Sequence, residues 1–273
     1  ASLKRLTLFK IDILGETYVK AIPRGITHLD LAESKCCGNL IRYLPPGLLS
    51  LNFTSCRYIS EDELLFLPNT LNKLFLKNCF LHGFPTIFNH RSITVLDISN
   101  NAIHKVEKLP PFLDELIINE CSNSALATVH PTLKKLRVLS KSTITFTAIR
   151  RFTALTDLRC FTVGEFGYFK QLEELDISFS DNGDKSIAQL SSTLRTLNLR
   201  GCHKITNAGI KQLPNGLEKL ILRNTLVTDE VIPFLPRGLL EIDLKWCDYI
   251  TVKNYHYLPR HIRHLQVHTI TNV

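Results

Sequence analysis

The stretch Ser192-Thr193-Leu194-Arg195-Thr196-Leu197-Asn198-Leu199-Arg200-Gly201-Cys202 decides the fold. Its apolar residues fall at Leu194, Leu197 and Leu199, and Cys202 closes the run. The spacing L-x-x-L-x-L-x-x-C fits neither a 3.6-residue helical period nor the strict alternation of a strand. It recurs along the chain: PGLLSLNFTSC ends at Cys56, NTLNKLFLKNC at Cys79, PFLDELIINEC at Cys121 and RGLLEIDLKWC at Cys247. Self-similarity of this kind marks a repeat architecture, in which one short unit buries its apolar face only by stacking on its neighbours.

With the first apolar position as marker, units begin at Leu3, Ile26, Leu48, Leu71, Ile93, Leu113, Leu133, Leu155, Leu172, Leu194, Leu217, Leu239 and Ile262. The steps run from 20 to 23 residues, except for one of 17 between Leu155 and Leu172. That short step contains Gly164 and Gly167 and predicts a tight turn in place of a helix. The second halves ISEDELLFLP, ITNAGIKQLP, VTDEVIPFLP and ITVKNYHYLP share an apolar residue, a Ser or Thr, a helix-like apolar spacing and Leu-Pro. Ser60, Thr206, Thr228 and Thr251 are placed as N-caps. Pro68, Pro214, Pro236 and Pro259 then end each short helix and return the chain to extended backbone. Pro23, Pro45 and Pro110 hold the same place, three residues before the marker. Each coil therefore reads as strand, turn, short helix and return, with about thirteen coils in a single domain over residues 1–273.

A hydrophobic fraction of 44% with 21% charged residues is that of a folded chain and excludes disorder. No window reaches the ~18 uninterrupted apolar residues of a membrane span, and the N-terminal ASLKRLTLFKIDI lacks a secretory apolar core. There is no Met in the 273 residues. Of the eight cysteines, Cys56, Cys79, Cys121, Cys202 and Cys247 take one slot of the repeat, and Cys160 takes an apolar core slot. A small buried thiol stacked once per coil can donate to a loop carbonyl, which is a structural use. Cys36 and Cys37 are adjacent, and no C-x-x-C pair offers zinc-ligand spacing. The Asn52-Phe53-Thr54 glycosylation triplet lies inside a strand. These features predict a reducing, cytoplasmic location.

Residues Leu194 to Ile210 match L-x-x-L-x-L-x-x-C-x-x-I-T-x-x-G-(I/L). On this motif and the thirteen phased units, the chain resembles leucine-rich repeat proteins, and within them the cysteine-containing type of F-box subunits. The recurrent L-P-x-x-L-x-x-L is also similar to repeats of bacterial leucine-rich effectors and of the FNIP class. Units near 22 residues are shorter than the about 26 usual in the F-box type, and no F-box motif precedes them in this sequence. The resemblance implies an α/β solenoid curved as a horseshoe, with a parallel β-sheet on the concave face and short helices or 3₁₀ turns on the convex face. It also implies a non-enzymatic module that binds a partner protein on the concave face, as a substrate-recognition or effector scaffold.

Residues between the leucines point out of the concave side, and equivalent positions of adjacent strands stack into columns about 4.8 Å apart. The column after the third Leu position contains Lys77, Phe161, Arg200, Arg223, Lys245 and His268; the one before it contains Phe75 and Arg159. Phe179 and Trp246 follow directly, and Lys219 lies on the same strand as Ile221. Aromatic and Arg anchors beside polar neighbours are what protein interfaces use as hot spots, so these eleven residues are the expected partner site. Arg200, Lys219, Arg223 and Lys245 are like charges on adjacent coils and repel one another, so their alignment needs a reason.

No catalytic constellation emerges and no cofactor is expected. Asp157, Glu174 and Asp176 could form a carboxylate cluster, but Arg159, Lys135 and Arg137 are close enough to neutralise it as a salt-bridged ladder. His264 and His268 on one strand would be ~13 Å apart and cannot share a metal. A Gly-rich phosphate loop is missing. The alternatives are a nucleic-acid-binding protein, suggested by a net charge of +8, and the targeting part of a larger enzyme. Both ends stop in phase with the repeat without a polar cap, which points to flanking sequence or end-to-end association and leaves the oligomeric state open.

Overall fold

A computed structural model of the chain describes residues 3–12, 14–35, 40–83, 90–103, 106, 108–119, 122–141 and 143–267. The chain divides into two compact units, residues 1–133 with 137–144 and residues 134–136 with 145–273. Strand order equals chain order. The first unit contains β1 (Arg5–Thr7), β2 (His28–Asp30), β3 (Ser50–Asn52), β4 (Lys73–Phe75), β5 (Val95–Asp97) and β6 (Glu115–Ile118). Residues of β7 (Lys135–Val138) fall in both units. The second contains β8 (Asp157–Arg159), β9 (Glu174–Asp176), β10 (Thr196–Asn198), β11 (Lys219–Ile221), β12 (Glu241–Asp243) and β13 (His264–Gln266).

Within each unit every strand pairs in parallel with the next, at a register that aligns the central Leu or Ile. Leu29, Leu51, Leu74, Leu96 and Leu116 form one such row, and Leu158, Leu175, Leu197, Leu220 and Ile242 the other. All ten are buried. The marker residues and the third apolar position add two more buried rows, so each coil places about three large side chains in the core. At roughly 1.5–3 kcal/mol for each fully buried Leu or Ile, this stacking is the main source of stability.

The turn after most strands has a fixed geometry. Lys10, Glu33, Ser55, Asn78, Asn100, Phe179, Asn224 and Trp246 all have φ between 54° and 63°, and Gly201 has φ of 67°. In these nine coils one residue here is left-handed, which swings the chain from the strand face toward the helical side; the described turns after β7 and β8 have no left-handed residue.

The slot closed by cysteine then ties coil to coil. Cys56, Cys79, Cys202 and Cys247 donate their thiols to the carbonyls of Leu31, Phe53, Ile177 and Leu222 in the preceding coil, at 3.0–3.1 Å. Other coils fill the slot with a different donor. Ser34 Oγ donates to Leu8 O at 3.0 Å, and Asn101 Nδ2 to Leu76 O at 2.8 Å. Cys121 lies outside the described residues.

Short helices complete the coils: α1 (Glu16–Lys20), α2 (Asn123–Ala127), α3 (Phe146–Ile149), α4 (Asp184–Ile187) and α5 (Asn207–Ile210). One or two turns of 3₁₀ replace them at Ile41–Tyr43, Glu61–Phe66, Phe166–Tyr168, Asp229–Phe234 and Val252–Tyr257. Thr206 and Thr228 cap as expected, accepting from the amides of Ala208 and Glu230. Ser60 and Thr251 stand at N-cap positions, but their hydroxyls make no capping bond. Thr251 is instead held from the preceding coil, where Asp229 accepts from its amide and its hydroxyl, each at 2.7 Å. Asp184 does the same for Thr206, at 2.8 and 2.6 Å, and Asn207 accepts from the Thr228 amide at 3.0 Å. The first helical residue of one coil thus fixes the helix start of the next.

Candidate functional site

On the strand face, the last residue of a strand points outward but is often not available. Asp30, Asn52, Asp97, Asp176, Asn198 and Asp243 each accept, through a side-chain oxygen, from the amide two residues on, at 2.9–3.0 Å. These carboxylates and amides brace the turn into the left-handed residue. The sequence signal was the run of Asp and Asn in one column, a residue type that bonds its own backbone. Phe75, Ile117, Arg159 and Ile221 interrupt that column.

Phe75 and Lys77 belong to the first unit. Phe75, on β4, is half-buried and lines a hollow of about 320 Å³ with Arg5, His28, Asp30 and Asn52. Lys77 follows it and is exposed. Arg159, Phe161, Phe179, Arg200, Lys219, Arg223, Lys245 and Trp246 belong to the second unit. His268 lies outside the described residues.

On the strand face of the second unit two carboxylates, Asp176 and Glu241, are neutralised locally. Asp176 uses Oδ1 for the Ser178 amide, and its Oδ2 lies 3.6 Å from Arg159 Nε. Phe161 is half-buried one coil position beyond Arg159. Lys219 is not in register with the basic column. It sits at the first strand position, where its Nζ is 2.7 Å from Glu241 Oε2, and this hydrogen bond holds the Glu241 carboxyl below the usual carboxylate range. That pair lines a hollow of about 110 Å³ with Ile221, Asp243, His264 and Gln266.

Arg200, Arg223 and Lys245 do form a column. The backbone ladder continues past the strands, with Gly201 N to Arg223 O and Asn224 N to Lys245 O both at 2.9 Å. Arg200 stacks over the Phe179 ring, 4.8 Å from its centroid. Phe179 is the left-handed residue of its coil and is 46% exposed; Trp246 is the left-handed residue of its own and is 47% exposed. Gly201, between them in the column, is favoured as glycine. A Cβ there would lie 2.7 Å from Phe179 Cδ1, and its φ is in the left-handed region. Among the described residues Arg223 and Lys245 have no ion-pair partner.

The buried thiols do not face this surface. Burial pushes the Cys202 and Cys247 thiols up, and those of Cys79 and Cys160 up to about 12. Among the described residues no group of three or more His, Cys, Asp or Glu is placed to hold a metal ion. No described helix is long and apolar enough to cross a membrane.

No protein-family model matches the sequence, and no curated protein does. Solved structures match over most of its length. An internalin (inlF) from Listeria monocytogenes str. 4b F2365 is similar at 17% identity and a TM-score of 0.68, over 89% of this chain and 74% of that one. The fold is that of leucine-rich repeat proteins. CroV588, a circular LRR protein, is similar at 18% identity and a TM-score of 0.53, over 97% of this chain and 43% of that one. A chain of the octameric complex of Latrophilin 3, Unc5D and FLRT2 (LRR) is similar at 16% identity and a TM-score of 0.51, over 97% of this chain and 83% of that one.

Proposed function

We propose that the chain is a non-enzymatic protein-binding module that presents the strand face of its second unit to an acidic surface of a partner protein. One observation carries this reading: Arg223 and Lys245 stand in register beside Arg200 without a counter-charge, next to two half-exposed aromatics. Like charges aligned on neighbouring coils repel, by about 1 kcal/mol per pair in water where they approach to ~4 Å. The chain has acidic side chains elsewhere on this face, yet spends them on turns and on Lys219. An external carboxylate surface would relieve the repulsion, and the Phe179 and Trp246 rings would supply apolar contact area at its edge. The fold neighbour from the complex of Latrophilin 3, Unc5D and FLRT2 (LRR) comes from an assembly of proteins, which agrees with this mode of use. The free, buried cysteines suit a reducing, cytoplasmic setting. The likeness of Leu194 to Ile210 to F-box-type and effector repeats would make the module the recognition part of a larger assembly.

The test is capture from nuclease-treated lysate by the immobilised chain and by a variant with Arg200, Arg223, Lys245 and Trp246 all changed to Ala. A protein held by the parent and lost by the variant, more weakly bound as salt rises, supports the proposal. Identical captures by the two would refute it. A partner that disappears with nuclease treatment would replace it with nucleic-acid binding.

A further inference from the structure

The helical side of the second unit is interrupted at the short coil. In three ordinary coils the position five residues before the marker holds an aromatic ring, roofed by a cation from the coil before. Lys20 Nζ lies 4.3 Å from the Tyr43 ring centroid, Arg42 Cζ 3.9 Å from that of Phe66, and Lys211 Nζ 4.7 Å from that of Phe234. In the 17-residue coil this ring position is Gly167. It cannot carry a side chain in this packing, because a Cβ would come within 2.6 Å of the Ala188 carbonyl oxygen and 2.7 Å of that of Gln189. The Ala188–Gln189 backbone packs directly on Gly167 instead, and beside it a cavity of about 640 Å³ lies between α3, the turn Phe166–Tyr168 and α4, within the range of small-molecule sites.

The lining is suited to one kind of ligand. Phe146 forms one wall, its ring fixed edge-on against Phe166 and Phe169 at 5.6 and 5.9 Å, and the exposed Tyr168 ring is at the rim. Arg150, Lys170 and Lys185 face one carboxylate, Glu165, and among the described residues none of the four is in an ion pair. Lys170 is oriented by a 2.6 Å hydrogen bond from its Nζ to Gly167 O. Gln189, on the lip, holds a left-handed φ of 58° that a non-glycine residue adopts only at a cost. In the three coils named above a cation at this level lies over a planar ring of the chain itself.

We propose that this cavity binds a planar, anionic small molecule, an aromatic ring bearing a phosphate or a carboxylate. The ring lies in the cavity against Phe146 and Tyr168, while Arg150, Lys170 and Lys185 hold the anion. The site lies on the helical side and is independent of the strand-face partner proposed above.

The experiment is a titration of the whole ¹⁵N-labelled chain at low salt with phenyl phosphate, benzoate, inorganic phosphate and phenol, followed by amide chemical shifts. Phenyl phosphate and benzoate should bind saturably, shifting amides in 146–150 and 167–170. Phenyl phosphate should bind about tenfold more tightly than inorganic phosphate, and phenol should not bind. The double variant R150E/K185E, at two exposed positions, should lose at least about tenfold in affinity, whereas R223A/K245A should match the parent. R150Q/K185Q serves the same purpose if charge reversal disturbs the far-UV spectrum. Equal affinity for inorganic and phenyl phosphate, shifts outside the two segments, or binding unchanged in both double variants would overturn the proposal.

Discussion

Asn101 carries more of the coil-to-coil ladder than any cysteine, and replacing it with alanine is a quantitative test of that ladder. Its Oδ1 accepts from the amides of Cys79 at 2.9 Å and Leu81 at 3.1 Å, and its Nδ2 donates to the carbonyls of Leu76, Ile98 and Ser99 at 2.8, 2.9 and 3.2 Å. Cys79 and Leu81 are each 1% exposed, so in N101A their amides cannot turn to water without local opening. A stranded buried donor costs about 1–3 kcal/mol, and two of them, partly relaxed, give a loss of about 3 kcal/mol. That corresponds to about a hundredfold in the local opening constant. Hydrogen exchange of the Cys79 and Leu81 amides reads it directly, with second-unit amides as internal reference. N101C should recover less than half of the loss. Its thiol can donate to Leu76 O, as Cys79 donates to Phe53 O, but it offers the two amides no good acceptor. Protection of both amides within threefold of the parent in N101A would refute the account.

Gly201→Ala should cost about 2 kcal/mol, roughly half from the left-handed backbone and half from displacing the Phe179 ring, measured as a fall in urea midpoint at constant slope; an unchanged midpoint would mean that the ring does not rest there. Cys79 and Cys160 should resist iodoacetamide in the folded chain at pH 8 and react on unfolding, because burial raises their thiol pKa from 9.0 to about 12. The sign of the linked effect follows: the unfolded chain loses these protons first, so the stability from neutral thiols is complete below about pH 9 and falls as pH rises toward 12. A pH profile of stability that is flat over that range would contradict the burial of both groups.

The apolar spacing made the core legible, because Leu194, Leu197 and Leu199 repeat the same burial in every coil. The thiol ladder was legible too, since a small donor recurring in one slot has few other uses. The split of the outward columns was not. Asp243 and Arg159 occupy equivalent positions, yet Asp243 bonds the amide two residues on while Arg159 reaches across to Asp176. A carboxylate can accept from its own backbone amide whereas a guanidinium can only donate, and which carboxylate Arg159 reaches is set by the stacking of coils, which column spacing alone does not encode. Lys219 was grouped with the basic column by proximity in sequence, whereas the strand register sets it opposite Glu241. The interlock of Asp184 with Thr206 across 22 residues likewise needs the stacked helices to be seen.

Residues that obey the repeat explain stability, and residues that break it at a cost point to function. The left-handed slot is filled by Asn78, Asn100, Gly201 and Asn224, types that tolerate positive φ, and also by Lys10, Glu33, Ser55, Phe179 and Trp246, which hold it against an energetic penalty of about 1 kcal/mol or more each; of these five only Phe179 and Trp246 are aromatic. Nothing in the core requires an aromatic there, since both rings are about half exposed. Gly167 differs in the opposite sense, standing where three other coils place a ring under a cation and letting the Ala188–Gln189 backbone approach closely. A half-exposed ring held in a strained conformation, and cations outside any ion pair beside an open cavity, are both features of binding surfaces. The two proposed sites of the second unit, one on the strand face and one on the helical side, share no residue, so each can be tested with the other intact.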